Sequence, residues 1–154
     1  MVIYAVAHSI FIVKSIRLAA DGVYFCRLSY GADLVSEIKD FAVVKKIDSG
    51  FFTVIGAVQN AVLGFYKQDE RKYVEMRFDE PLEVVSCVGN VTLKDGSLFV
   101  HAHACLSKKD GSAVGGHLVS ARVFAGEVFL FAFDDKLRRK FDDTTGLWLV
   151  DLKD

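Results

Sequence analysis

The stretch 94–112, KDGSLFVHAHACLSKKDGS, carries the same four residues at both ends, Lys94 to Ser97 and Lys109 to Ser112. Asp-Gly suits the tight turns of β-hairpins, whose backbone needs positive φ. Two such turns bracket one strand, residues 98–107, so the chain runs antiparallel on both sides of it. Alternation puts Leu98, Val100, Ala102, Ala104 and Leu106 on one face, an all-apolar set that belongs in a core. The opposite face reads Phe99, His101, His103 and Cys105.

Outward from this strand the pattern stays strand-rich. Residues 23–29, 51–58, 61–66, 72–78, 82–91 and 123–133 all read as strands. The last is apolar on both faces, with Phe129, Phe131 and Phe133 against Val128, Leu130 and Ala132. Such a strand needs cover on both sides, from the core or from another subunit. One main helix is expected near residues 33–46. Leu34, Ile38, Phe41, Ala42 and Lys45 recur at helical spacing, Asp33 stands at the capping position, and Glu37 lies in the early turns. The fold class is α/β of the α+β type, a strand-rich single domain on an antiparallel sheet. Its 154 residues, 52% hydrophobic with one proline, suit one core and show no linker.

Residues 2–6 and 10–13 are apolar enough for two strands, with a turn at Asp21-Gly22 into the next. Residues 1–22 are therefore read as an amino-terminal strand extension to a domain of residues 23–154. No Lys or Arg precedes Lys14, so the charged leader of a secretory signal is missing, and the apolar run is shorter than a membrane span. Cys26, Cys87 and Cys105 form no CxxC pair and cannot close an even framework of disulfides, which fits the reducing cytoplasm. A net charge of −1 gives no electrostatic argument for nucleic acid. The cluster Lys136, Arg138, Arg139 and Lys140 is flanked by Asp134, Asp135, Asp142 and Asp143, and reads as a solvated face.

The chemistry lies on the polar face of the bracketed strand. Histidines at i and i+2 have Cβ atoms about 6.5–7 Å apart, within reach of one ion. After the second hairpin, Gly115 and Gly116 precede His117, and the turn returns the chain beside the first two imidazoles. His101, His103 and His117 are the metal ligands expected, zinc the ion that suits them. Three histidines leave a position open to a ligand. Tentative pocket residues are Arg27, which can bind an anion or close a strand-end salt bridge, and Cys105, Gly115 and Gly116. Glu127 joins them, either moving a proton or pairing with an arginine. His8 stands outside the cluster. No Walker loop, nucleophile elbow or dinucleotide fingerprint is present.

Several segments, taken in order, resemble the plants-and-prokaryotes conserved (PPC) domain. They are Arg27-Leu28 with Gly31-Ala32-Asp33-Leu34, Glu83-Val84-Val85 with Gly89-Asn90, and His101-Ala102-His103. Gly115-Gly116-His117-Leu118, Glu127-Val128, and Arg138 with Thr145-Gly146-Leu147 follow. The resemblance implies a homotrimer of the free-standing prokaryotic type, a binding or interaction module associated with DNA. Plant members carry AT-hooks, and this sequence has no Arg-Gly-Arg-Pro hook. Where they have a Gly-Arg-Phe-Glu-Ile-Leu segment for partner contacts, this chain has Glu80-Pro81-Leu82-Glu83-Val84-Val85. The fold also resembles acetolactate decarboxylase, a zinc enzyme. The expectation is thus a homotrimeric binding module, DNA-associated, with a three-histidine metal site and a small anionic ligand. A zinc-dependent enzyme on a small carboxylated molecule is the alternative.

Overall fold

A computed structural model of the chain describes residues 20–152. The elements run β1 (Ala20–Leu28), α1 (Leu34–Lys45), β2 (Gly50–Lys67), β3 (Lys72–Phe78), β4 (Leu82–Lys94), β5 (Ser97–Ser107), β6 (Ala113–Phe133), β7 (Arg139–Asp142) and β8 (Leu147–Val150). The strands expected at residues 2–6 and 10–13 lie outside the described residues. Asp21-Gly22, expected as a turn, is inside β1, where the register against β6 slips at Ala20/Gly22. The chain bulges there instead of reversing.

The hairpin reading of 94–112 holds. Gly96 and Gly111 take the positive φ that their turns require, and β5 pairs antiparallel with β4 and with β6. Sequence alternation split β2 into two strands at Gln59-Asn60. The structure keeps it as one, because β2 absorbs the irregularity as register slips against β6 near Val58 and Val62. β2 also pairs with β4, so β2, β4, β5 and β6 form a closed circuit of antiparallel pairings. Closure leaves β1 on the far side of β6 and β3 on the far side of β2.

The interior of this circuit is the core. Phe52, Val54, Leu63, Val91, Leu106, Val123, Val128 and Leu130 are fully buried, and Leu34, Ile38 and Ala42 on one face of α1 pack into the same cluster. Asp33 caps the helix, accepting from the Ser36 amide at 2.9 Å, and its other oxygen accepts from the Ala121 amide on β6 at 3.1 Å. One carboxylate thus both starts the helix and moors it to the sheet. Lys46 ends the helix in the left-handed conformation at φ 58°.

The outer face is different. Val23 and Phe25 on β1, Phe51 and Ile55 on β2, and Phe129 and Phe131 on β6 are all exposed, Phe25 at 60%. The strand 123–133 does carry apolar residues on both faces; within the single chain Val128, Leu130 and Ala132 are covered, and Phe129 and Phe131 are not.

A short hairpin, β7 and β8, was not legible in the sequence. It lies against β4: the Leu93 amide donates to the Leu137 carbonyl at 2.8 Å, and the Leu137 amide donates to the Ser49 hydroxyl at 2.6 Å. No described helix is long and apolar enough to cross a membrane.

The closeness of β4 to its neighbours sets a first prediction. A Cβ on Gly89 would lie 2.3 Å from the Phe52 ring and 2.5 Å from the His101 carbonyl oxygen. Gly89→Ala should therefore destabilise the domain by about 1–3 kcal/mol through overpacking, read as a lower urea midpoint. An unchanged midpoint would show that β4 and β5 are not packed this closely.

Candidate metal centre

His103 and His117 are direct cross-strand partners in the β5–β6 ladder, and His101 lies two residues along β5 opposite Asn90. Because neighbours in register share a face, all three imidazoles emerge on the outside of the circuit. Their ring centroids form a near-regular triangle, with separations of 5.1, 5.2 and 5.5 Å. One nitrogen from each ring lies within 4.8 Å of the others. Closing that set to zinc–nitrogen bonds of about 2.0–2.1 Å requires only small side-chain rotations.

Glycine makes the approach possible. A Cβ on Gly116 would stand 2.8 Å from the Gly64 carbonyl oxygen, so β6 can lie against β2 here only without a side chain. His117 then sits opposite Gly64, its ring 5.0 Å from that of Tyr73 on β3. Gly115 pairs with Cys105. Cys105 is exposed on the same face as the histidines but does not line their pocket.

The histidines open into a pocket of about 550 Å³. Its walls include Tyr66, Tyr73, Phe99 and Trp148, and four cationic side chains, Arg71, Lys72, Lys94 and Arg139. Arg139 had been placed on a solvated basic face. The structure overturns that: Arg138 and Lys140 are exposed, and Arg139 is half-buried and lines the pocket. Its Nε donates to Thr92 Oγ1 at 2.9 Å, Nη1 to the Trp148 carbonyl at 2.6 Å, and Nη2 to Asn90 Oδ1 at 2.9 Å. Nη2 also lies 3.4 Å from His101 Nδ1.

These surroundings disfavour the charged form of two of the rings. Burial pushes the His101 pKa down to about 4, helped by the Arg139 charge and by the other two imidazoles. Burial likewise lowers His117, with His103 and Arg139 adding to it. His117 Nδ1 is buried with no hydrogen-bond partner. An orphaned buried acceptor costs about 1–3 kcal/mol. A metal ion takes such neutral, lone-pair nitrogens as ligands, so the residues fit one. Among the described residues this is the one group of three or more histidine, cysteine or acidic side chains close enough to share an ion.

Arg27 and Glu127 are placed elsewhere. They face each other across β1 and β6, both exposed, and neither lines the histidine pocket. Glu127 is not the buried glutamate its apolar strand suggested, because it takes the outward position between Gly126 and Val128.

Residues 18–134 match the model of the Plants and Prokaryotes Conserved domain. The chain belongs to this family. A PPC relationship is also visible in three dimensions. A metal-containing protein from Archaeoglobus fulgidus is 42% identical with a TM-score of 0.86, the match covering 90% of this chain and 99% of that one. A plant- and prokaryote-conserved protein from Pyrococcus horikoshii is 33% identical at a TM-score of 0.83, covering 89% and 96%. A suspected DNA-binding protein from Bacteroides thetaiotaomicron is 25% identical at 0.81, covering 88% and 97%. No curated protein matches. Acetolactate decarboxylase from Bacillus subtilis subspecies spizizenii is found at a TM-score of 0.48 and 15% identity, a likeness too distant to speak for this chain's chemistry. The match to the PPC family stops before β7 and β8, so Arg139 and Trp148 come from a segment outside it.

The lowered His101 pKa has a consequence in the metal-free protein. An unfolded histidine takes up its proton at about pH 6.5, whereas folded His101 takes it up at about 4. Between these values the unfolded state binds more protons, so stability present above pH 6.5 falls as the pH drops towards 4. A two-dimensional NMR titration of metal-free protein should find one imidazole titrating near 4. Three imidazoles all titrating near 6.5 would show that the cluster is open to water.

Proposed function

We propose that this PPC domain is a metal-dependent binding module, with His101, His103 and His117 holding one divalent ion. The observation that carries the reading is the triangle of imidazoles together with the buried, unpartnered His117 Nδ1. Zinc is the ion these ligands suit. The relative from A. fulgidus is named as metal-containing, which supports the same reading. When bound, the ion supplies Lewis acidity at a position facing the pocket. The chain's own residues fix the rest: Arg139, held by Asn90, lies against the His101 ring, and Tyr73 and Trp148 flank the cluster. An enzyme acting on a small anionic substrate is the second reading, favoured by the pocket that leads from solvent to the imidazoles.

The module works as a homotrimer in this reading. Register connects the exposed aromatic face to the site by two continuous rungs. One runs Phe25, Phe129, Thr53, Val88, His103, and the other Val23, Phe131, Phe51, Asn90, His101. An apolar surface on this scale marks an interaction site, and copies of the chain docking there would stand beside the histidines. The three free cysteines suit the cytoplasm as its location. DNA association rests on the name of the B. thetaiotaomicron relative. The net charge of −1 makes any such binding weak.

Two measurements test these points. Isothermal titration with zinc should give one site per chain, and His103→Ala should weaken it by at least about tenfold with unchanged circular dichroism, since a ligand is lost rather than a core contact. Equal affinity in the variant would remove the histidines from metal binding. Light scattering at micromolar concentration should give a trimer mass, and Phe129→Glu should shift it towards monomer; a monomer mass in the wild type would refute the assembly.

A further inference from the structure

Three rows of side chains cross β1, β6 and β2 on the outer face: Val23–Phe131–Phe51, Phe25–Phe129–Thr53 and Arg27–Glu127–Ile55. The first two rows hold no charge. The third holds one of each sign, set directly opposite one another in the β1–β6 ladder. Opposite charges in that position ordinarily attract across the strands. Here they stay apart. Both side chains are exposed, and neither forms a hydrogen bond or ion pair with the other or with any described residue. Their surroundings are not those of a solvated pair either. Glu127 has the exposed Ile55 on its other side, and the next row holds the rings of Phe25 and Phe129, with centroids 4.8 Å apart.

Covering this face with another copy of the chain strips water from both charges, and a charge buried without a partner is costly. A ring of three identical chains is held by heterologous contacts, in which one part of a copy's surface meets a different part of the next. The face is polarised in the direction such a contact needs. Its cation stands on the edge strand β1, and its anion about 4.8 Å inward on β6. We infer that Arg27 of one copy bonds Glu127 of the next, an ion pair that sets the register in which the copies dock. This rests on the homotrimer reading above and names the residues that select the contact.

The aromatic rows cannot set that register by themselves. Apolar attraction is non-directional, so Phe25 of one copy packs on Phe129 or on Phe131 of the next with little to choose between them. Those two positions differ by one row, about 6.5–7 Å along the strand. A copy displaced by one row leaves both charges against aromatic rings, which is a penalty against the wrong register. Arginine suits the task because its planar fork matches the two oxygens of a carboxylate. Another exposed carboxylate, Glu83 on β4, stands a row further on, in a groove that already holds Lys108 and Lys109. Glu127 has no cation in these rows besides Arg27.

The test reads the mass of the full chain by analytical ultracentrifugation from nanomolar to micromolar concentration. Arg27→Glu and Glu127→Arg, each setting like charges against one another, should raise the concentration at which the trimer forms by about tenfold or more. Combining the two should restore it to within a few-fold of the wild type. A pair made within one chain would be rescued in the same way, so the two single variants are also mixed. Each then supplies the charge that the other lacks, and species heavier than monomer should return at a concentration where either alone is monomeric. Circular dichroism should be unchanged throughout, since both residues are exposed. Should a reversal fail to fold, Arg27→Gln and Glu127→Gln should each still weaken assembly several-fold. Reversals or neutral variants that assemble like the wild type, a combined variant that stays dissociated, or a mixture that stays monomeric would overturn the ion pair alone. A wild type that is monomeric at every concentration would overturn the assembly and this inference with it.

Discussion

Where β5, β6 and β2 meet, the register that sets His103 opposite His117 also sets His117 opposite Gly64, and it is available only because Gly116 lets β6 rest on the Gly64 carbonyl. That contact closes the circuit of four strands. Closure decides which side chains turn inward to the core, and it brings a histidine from β6 between the rings of β5 and the tyrosine of β3. A slip of one residue in either ladder would send His117 inward and its apolar neighbour Leu118 outward. Core and site are therefore one constraint seen from two sides.

The outer face follows from the same register. Having the core inside the circuit leaves the opposite face of β1, β6 and β2 without cover, and that face is aromatic where a solvated sheet would be polar. The histidines share this face, joined to it through Val88 and Asn90. In the proposed reading, assembly and ligand binding are therefore neighbours in space, and an occupant of one borders the other.

Much of this was legible in the sequence, for identifiable reasons. Repeated Asp-Gly turns fix β5, strict alternation separates its apolar and histidine faces, and Asp33 marks the start of α1. The three histidines came together because hairpin pairing is local. What escaped depends on long-range packing. Gln59 and Asn60 looked like a break because polarity signals a turn, yet β2 continues through them by slipping register against β6. Strands β7 and β8, four residues each, are too short to show a period, so Arg139 was read with its solvated neighbours. Arg27 and Glu127 are register partners across β1 and β6, Arg27 on the edge strand and Glu127 ten residues beyond His117 along β6, and the sequence does not show that separation.

The claim on which the account turns is that three imidazoles share one ion. X-ray absorption at the zinc edge, on protein loaded with one equivalent, tests it most directly. The account predicts a first shell of nitrogen and oxygen near about 2.0–2.1 Å with the multiple-scattering signature of three imidazoles and no sulfur. A shell with fewer than three imidazoles, or with sulfur at about 2.3 Å from Cys105, would contradict it.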